Sequence, residues 1–236
     1  MTEALFREDA YLESCRATVT AINDRGGVIL DRTVFYPTGG GQPGDAGVLR
    51  WDGGEVAIAT AVKGEGEDVV HVPDGEPPAV GTEVEALING DTRALYRRIH
   101  TALHLMSVVI PLPVTGGAIS AEKGRLDFDM PEPPEDKEAF AAEINRLIAE
   151  DHPVTDEWIT DEELAARPEM VKTMKVKPPM GQGRVRLVRI GGGVTPVDLQ
   201  PCGGTHVRST GEIGPIRLGK VEKKSKQNRR FNLFLE

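Results

Sequence analysis

The chain has 236 residues, 39% hydrophobic and 28% charged, enough to bury the core of one large or two modest domains and too apolar for a disordered chain. Its 28 basic against 37 acidic residues give a formal charge of −9, which argues against a general nucleic-acid coat protein, whose sequence-independent binding comes from phosphate attraction. Two distant cysteines, Cys15 and Cys202, an acidic start without an apolar segment, and no window approaching the roughly 18 apolar residues of a membrane span lead us to expect a soluble, cytoplasmic protein.

Across residues 1–90, six β-type runs (CRATVTAI, GGVILD, GVLRW, EVAIATAV, DVVHV and TEVEALI) are separated by Gly-Gly, Asp-Gly and Pro-Asp turn signals. Such a series without helical periodicity predicts a small closed or partly closed β-barrel domain. The period then changes. From Asp91, read as the N-cap, Leu95, Ile99, Leu103, Met106 and Ile110 step by three and four, predicting an amphipathic helix that Pro111 ends. GRLDFDM reads as a strand, MPEPPEDKE as a short proline-rich connection, and residues 134–150 as a helix with Phe140, Ile144, Leu147 and Ile148 on one face. PVTDEWI reads as a strand, DEELAAR as a short helix, and RVRLVRI, PVDL, GPIRLGKV and RRFNLFLE as further strands. Without a strict βαβ rhythm, residues 91–236 are expected to form a second, α+β domain.

Within IHTALHLM, His100 and His104 are four apart and project from one side of the predicted helix. Such a pair is by itself more often a surface or satisfied core feature. PCGGTHV is more specific: its glycines allow a sharp turn that brings the Cys202 thiolate and the His206 imidazole together. Joined, the two pairs form a nitrogen and sulfur set for which zinc is the default ion, with copper(II), iron or an empty site left open. The apolar neighbours Ile99 and Leu103 are expected to place the histidines at the edge of the core, within reach of water. His71 and His152 stand alone and are read as structural. Four protein ligands usually close a zinc site. A catalytic role therefore has either one of them displaced by water or substrate, or the ion positioning substrate while another group handles the attacking water; the first is the working expectation, since water at zinc reaches a pKa of about 7.

HTALH followed by CGGTH, together with FYPTGGGQPGD at residues 35–45, DTRALYRRIH, and GPIRLGKVEKKSKQNRRF, resembles the editing domain of alanyl-tRNA synthetase. No aminoacylation core accompanies these motifs, so the chain is similar to the freestanding editing proteins of the AlaX type, in the longer form with an N-terminal barrel. The resemblance implies an ATP-independent esterase acting in trans to remove serine, and in some members glycine, from tRNA charged for alanine. It also implies His100, His104, Cys202 and His206 as zinc ligands and places Gln42 at the same cavity. Two departures stand out: Met130, where the synthetase pattern has histidine, and KKSKQNRR in place of a more glycine-rich stretch.

Ester hydrolysis needs positioned water and donors for the developing oxyanion. Backbone N–H groups of Gly203 and Gly204, and of the turn at Gly39, Gly40 and Gly41, are candidates; tight-turn geometry alone is the competing reading. Serine is larger than alanine, so discrimination has to read the hydroxyl rather than size, and Thr38, directly before the glycines, is the candidate reader. A tRNA substrate gives the basic run of Lys220, Lys223, Lys224, Lys226, Arg229 and Arg230 a phosphate partner, with Arg93, Arg97 and Arg98 as further candidates. Otherwise that run is a solvated hairpin tip. Two alternatives remain: a zinc-stabilised tRNA-binding module without catalysis, and an editing hydrolase for another amino acid.

Overall fold

The computed structural model describes residues 1–134, 136–172 and 183–236; residue 135, inside the proline-rich connection, lies outside them. The chain divides into two compact units, Met1–Leu95 and Tyr96–Glu236.

The first unit holds β1 (Glu3–Ala4), β2 (Ser14–Ile22), β3 (Val28–Leu30), β4 (Arg32–Thr33), β5 (Gly47–Trp51), β6 (Gly54–Lys63), β7 (Val69–Pro73) and β8 (Glu83–Ile88). The six runs legible in the sequence are the six strands of a closed barrel, in the order β2-β3-β7-β6-β5-β8. Closure leaves no unpaired edge. Side chains alternate inward, and a bulge between Ile58 and Thr60 shifts the phase of β6, so Val56 and Ile58 are followed into the core by Ala61. Leu30, Phe35, Leu49 and Ile58 fill the interior. His71 lies fully buried beside them with both ring nitrogens engaged, Nδ1 with the Val28 carbonyl at 3.0 Å and Nε2 with Thr33 Oγ1 at 2.8 Å.

Helix α1 (Gly90–Val109) begins in the first unit, and its residues from Tyr96 belong to the second. Its cap is Asn89 rather than the expected Asp91: the Asn89 side chain accepts from the Thr92 amide at 3.0 Å, and Asp91 falls inside the first turn. The second unit continues with β9 (Val114–Ile119), β10 (Gly124–Asp129), α2 (Lys137–Ala149), β11 (Val154–Thr160), α3 (Asp161–Ala165), β12 (Arg184–Ile190), β13 (Asp198–Pro201), β14 (Ile216–Leu218), β15 (Glu222–Lys223) and β16 (Asn228–Leu235). The mixture bears out the α+β expectation. Strand β9 was not legible in the sequence, because VTGGAI carries two glycines and a weak strand signal.

One sheet runs β14-β16-β10-β9, with β15 folded onto β16. Helix α1 lies so close to it that a Cβ on Gly124 would stand 2.5 Å from Ile99 Cγ2. Ile99, Leu103 and Met106 of α1, Ile144 and Leu147 of α2, and Phe128 and Phe231 of the sheet make one core. Asp136 caps α2 through the amides of Glu138 and Ala139, and Thr160 and Glu163 cap α3 reciprocally.

The second sheet, β11-β12-β13, decides the position of the site. Its register pairs Trp158 with Arg186, Asp156 with Val188, and Val188 with Gln200. Alternation therefore puts Ile159, Val185, Leu187 and Leu199 on one face, where they pack with Leu164 and Met170. The opposite face carries Asp156, Trp158, Arg186, Val188, Asp198 and Gln200, and the alternation continues to Cys202. No helix among the described residues is long and apolar enough to cross a membrane.

Candidate metal centre

His100 and His104 project from α1 one turn apart, while Cys202 directly follows β13 and His206 lies four residues further on. Their ligand atoms all lie within 4.8 Å of one another. Cys202 Sγ is 3.5 Å from His100 Nε2 and 3.3 Å from His206 Nε2. The ring centroid of His206 stands 4.3 Å from that of His100 and 4.6 Å from that of His104. The two sequence-distant pairs thus form one cluster.

Neighbouring groups fix how two of the imidazoles point. His104 Nδ1 lies 3.0 Å from Asp198 Oδ2, and the other oxygen of Asp198 receives Lys172 Nζ at 2.6 Å. The Gln200 amide donates to the same carboxylate at 2.7 Å. His206 Nδ1 lies 3.1 Å from Thr101 Oγ1. Because the Thr101 hydroxyl donates to the Arg97 carbonyl, its lone pairs are left for His206 Nδ1–H and the Val207 amide. We assign Nδ1–H to both rings from these partners. Nε2 of each ring then faces the cluster, the arrangement an ion needs once His104 Nε2 gives up its proton. Beneath the CGG turn, buried Arg186 donates to the carbonyls of Cys202 at 3.0 Å and Gly204 at 2.9 Å, and is itself held by Asp156 at 2.8 Å.

The electrostatics suit a cation. Burial opposes ionisation of Cys202, but His100 and His206 outweigh it and hold the thiol well below its usual range. Burial, reinforced by His100, holds His206 well below the ordinary imidazole value. Burial works against protonated His104 too, but the Asp198 and Cys202 partners prevail and raise it to about 9. A bound ion would take the place of a proton on His104 Nε2 while Nδ1–H stays on Asp198, so binding would release protons.

The three histidines are buried, not at a wet edge of the core as their helix pattern suggested. The reason is that β13 and the segment after it cover the α1 face that carries them. On the Cys202 side the cluster borders the surface, where Cys202 is partly buried and Gly203 is exposed. A Cβ at Gly203 would meet nothing within 4 Å, so the glycine borders open space rather than relieving a clash. The amide of Gly204 points to Cys202 Sγ at 3.4 Å, serving the thiolate.

In the first unit, Gly40 (φ +58°) and Gly41 (φ +86°) form a two-residue turn closed by mutual hydrogen bonds of Gly39 and Gln42. The Gly39 and Gln42 amides are thereby engaged in the turn, so among its three glycines expected as oxyanion donors Gly39 has its N–H already bonded. Gln42 is buried. Thr38 is exposed; its hydroxyl donates to the Ala61 carbonyl at 3.2 Å and accepts from the Gly44 amide at 2.9 Å. Gly44 is required by close approach, since a Cβ there would stand 2.0 Å from the Ala61 carbonyl oxygen.

The basic residues divide by burial. Lys220, Lys223, Lys224 and Lys226 are exposed around the β15–β16 hairpin. Arg93 is no phosphate contact: it is fully buried, ion-paired with Asp45, and donates to the carbonyls of Ala10 and Val34. Arg97 and Arg229 are buried, Arg229 donating to the Pro131, Ser225 and Asn228 carbonyls. Arg98 donates to the Ile213 carbonyl, and Arg230 pairs with Asp127 at 2.7 Å. Arg93, Arg98, Arg229 and Arg230 thus each bond oxygens of the protein itself, as a guanidinium with several donors can.

Sequence reading missed Thr101, Lys172, Arg186, Asp198 and Gln200. Asp198, Gln200 and Cys202 had a usable signal, a polar period of two on a strand that ends at the thiolate.

Two family models match the chain: the threonyl and alanyl tRNA synthetase second additional domain at residues 185–232, and class II tRNA synthetases (A) at residues 5–92. The alanyl-tRNA editing protein AlaX-M of Methanosarcina mazei is 37% identical, the match spanning 100% of this chain and 97% of that protein. AlaX-M of Methanosarcina barkeri is 36% identical over 100% of this chain and 99% of its own length. The alanine–tRNA ligase of Pyrobaculum neutrophilum is 36% identical over 94% of this chain, which spans 25% of the ligase. Likeness at this level along the whole of both chains means that the protein belongs to the AlaX family of alanyl-tRNA editing proteins.

Proposed function

We propose that the protein edits in trans, hydrolysing the ester of tRNA wrongly charged with serine, and of glycine as a second substrate, on an alanine acceptor. The observation that carries this reading is the convergence of His100, His104, Cys202 and His206 beside a solvent-open edge at Gly203. Editing is assigned to residues 91–236, and residues 1–90 form the barrel domain of the same enzyme.

The donor set fits zinc. Bonds of about 2.3 Å to sulfur and about 2.05 Å to nitrogen at tetrahedral angles put the sulfur and nitrogen atoms about 3.6 Å apart. The separations of 3.5 and 3.3 Å from Cys202 Sγ are close to that edge. When bound, zinc supplies Lewis acidity and, at an open ligand position, acidified water at neutral pH. Cys202, the one member of the set that is not fully buried and the neighbour of exposed Gly203, would be the ligand to yield that position. Asp198 and Thr101 hold the His104 and His206 rings toward the cluster.

Selectivity for serine over alanine requires a group that is left unsatisfied when the hydroxyl is missing. Thr38 has its donor and one lone pair engaged, which leaves one lone pair to accept from a serine hydroxyl. On the family resemblance, Gly39, Gly40, Gly41 and Gln42 remain substrate-side residues, and the exposed lysines of the β15–β16 hairpin meet tRNA phosphates.

The test is release of amino acid from tRNA charged with serine, glycine or alanine by zinc-loaded protein. Serine and glycine should be released and alanine retained, with Cys202→Ala inactive. If chelation unfolds the protein and the loaded form releases none of the three, the centre is structural and the zinc-stabilised binding module is the right reading.

A further inference from the structure

The face of the β11-β12-β13 sheet that ends at Cys202 continues outward to β11. There it carries Trp158, 46% exposed. Trp158 is in direct register with Arg186, whose carbonyl accepts from the Cys202 amide at 3.2 Å, so Trp158, Arg186 and Cys202 stand side by side across three strands. Two inter-strand steps of about 4.8 Å separate the backbone of Trp158 from that of Cys202 by about 10 Å. This is comparable to the reach of one nucleoside from its ribose hydroxyl to its base. Arg184, exposed and paired with Thr160, flanks Trp158 on the same face. The neighbouring carboxylate of Asp156 is neutralised by Arg186. The face therefore presents an open indole with the exposed Arg184 guanidinium on its flank, on the same sheet face as Cys202.

We propose that Trp158 is the stacking platform for the unpaired terminal base of the RNA whose ester is cleaved at the Cys202 centre, with Arg184 taking an adjacent phosphate. The proposal rests on the deacylase reading of that centre. An indole stacks on any base, so this subsite positions the ester without reading sequence, and its loss weakens binding rather than chemistry.

The probe is an RNA minihelix ending in single-stranded CCA, uncharged, added to zinc-loaded Trp51→Phe protein, in which Trp158 is the sole tryptophan. Its fluorescence should be quenched on binding. Trp158→Ala should weaken the minihelix about tenfold and Trp158→Phe much less. With seryl-tRNA, Trp158→Ala should raise KM by a similar factor and leave kcat within about twofold. Arg184→Gln, which leaves the indole in place, should reduce the salt dependence of minihelix binding.

Unchanged affinity and KM in Trp158→Ala, or no quenching on binding, would overturn the proposal, as would a dimer that Trp158→Ala abolishes. If serine is released but quenching is absent, the platform fails and the deacylase reading stands. If quenching and its loss in Trp158→Ala are seen without serine release, the RNA subsite stands and the deacylase reading fails.

Discussion

His71 gives the barrel a pH dependence that can be calculated. The ring is fully buried, with Nδ1–H donating to the Val28 carbonyl and Nε2 accepting from the Thr33 hydroxyl. Protonation would place a charge in the core and set N–H against the hydroxyl's donor role. Burial dominates, and despite the bond to Val28 the imidazole falls from 6.5 to about 4. Above pH 6.5 neither the folded nor the unfolded protein protonates this ring. As pH falls from 6.5 to 4 the unfolded chain takes up a proton that the folded barrel refuses, so stability is lost across that window. At about 1.4 kcal/mol per pH unit, the full loss is about 3 kcal/mol. The assay is urea denaturation followed through Trp51 in a Trp158→Phe background, at pH 7.5 and pH 4.5, for protein with His71 and with His71→Gln. Glutamine can keep the contact with Thr33 but does not titrate. His71 protein should lose roughly 2 to 3 kcal/mol more between the two pH values than the variant. Equal losses would show that the ring is not held neutral and would refute the reasoning.

Asp198→Asn should weaken zinc binding by about 10- to 100-fold, measured by competition with a chromophoric chelator, because it removes the charged partner that aims His104; unchanged affinity would mean that His104 orients itself. Replacing Lys220, Lys223, Lys224 and Lys226 together by Gln should lower the slope of log affinity for tRNA against log salt by up to about 3, at roughly 0.7 to 0.9 per lost phosphate contact. All four are exposed, so the melting temperature should hold. An unaltered slope would assign them to a solvated hairpin tip.

The candidate ligand set is legible in the amino-acid sequence because an α-helix enforces its own spacing: His100 and His104 share a side whatever surrounds them. The six barrel strands are legible for the same reason, since turn signals and period-two runs are local. Local pattern does not tell that Arg93 is buried while Lys220 is exposed. Both are cations in polar surroundings, and the difference lies in the Asp45 carboxylate, 48 positions away, and the distant carbonyls of Ala10 and Val34 that Arg93 meets. Nor does it separate a glycine that shapes a turn, such as Gly40, from Gly44, which is needed because the Ala61 carbonyl arrives from another strand.

Residue order along the chain is therefore enough for most of the element types, for the mixed architecture and for the identity of the four side chains in the candidate metal centre. Those follow from periodicity and from the intrinsic chemistry of thiol and imidazole. Folding in three dimensions settles that the histidines are buried, that Asp198 and Thr101 orient two of them, and that Trp158 shares a sheet face with Cys202. These depend on strand register and on contacts between residues about a hundred positions apart, which no local stretch of the chain encodes.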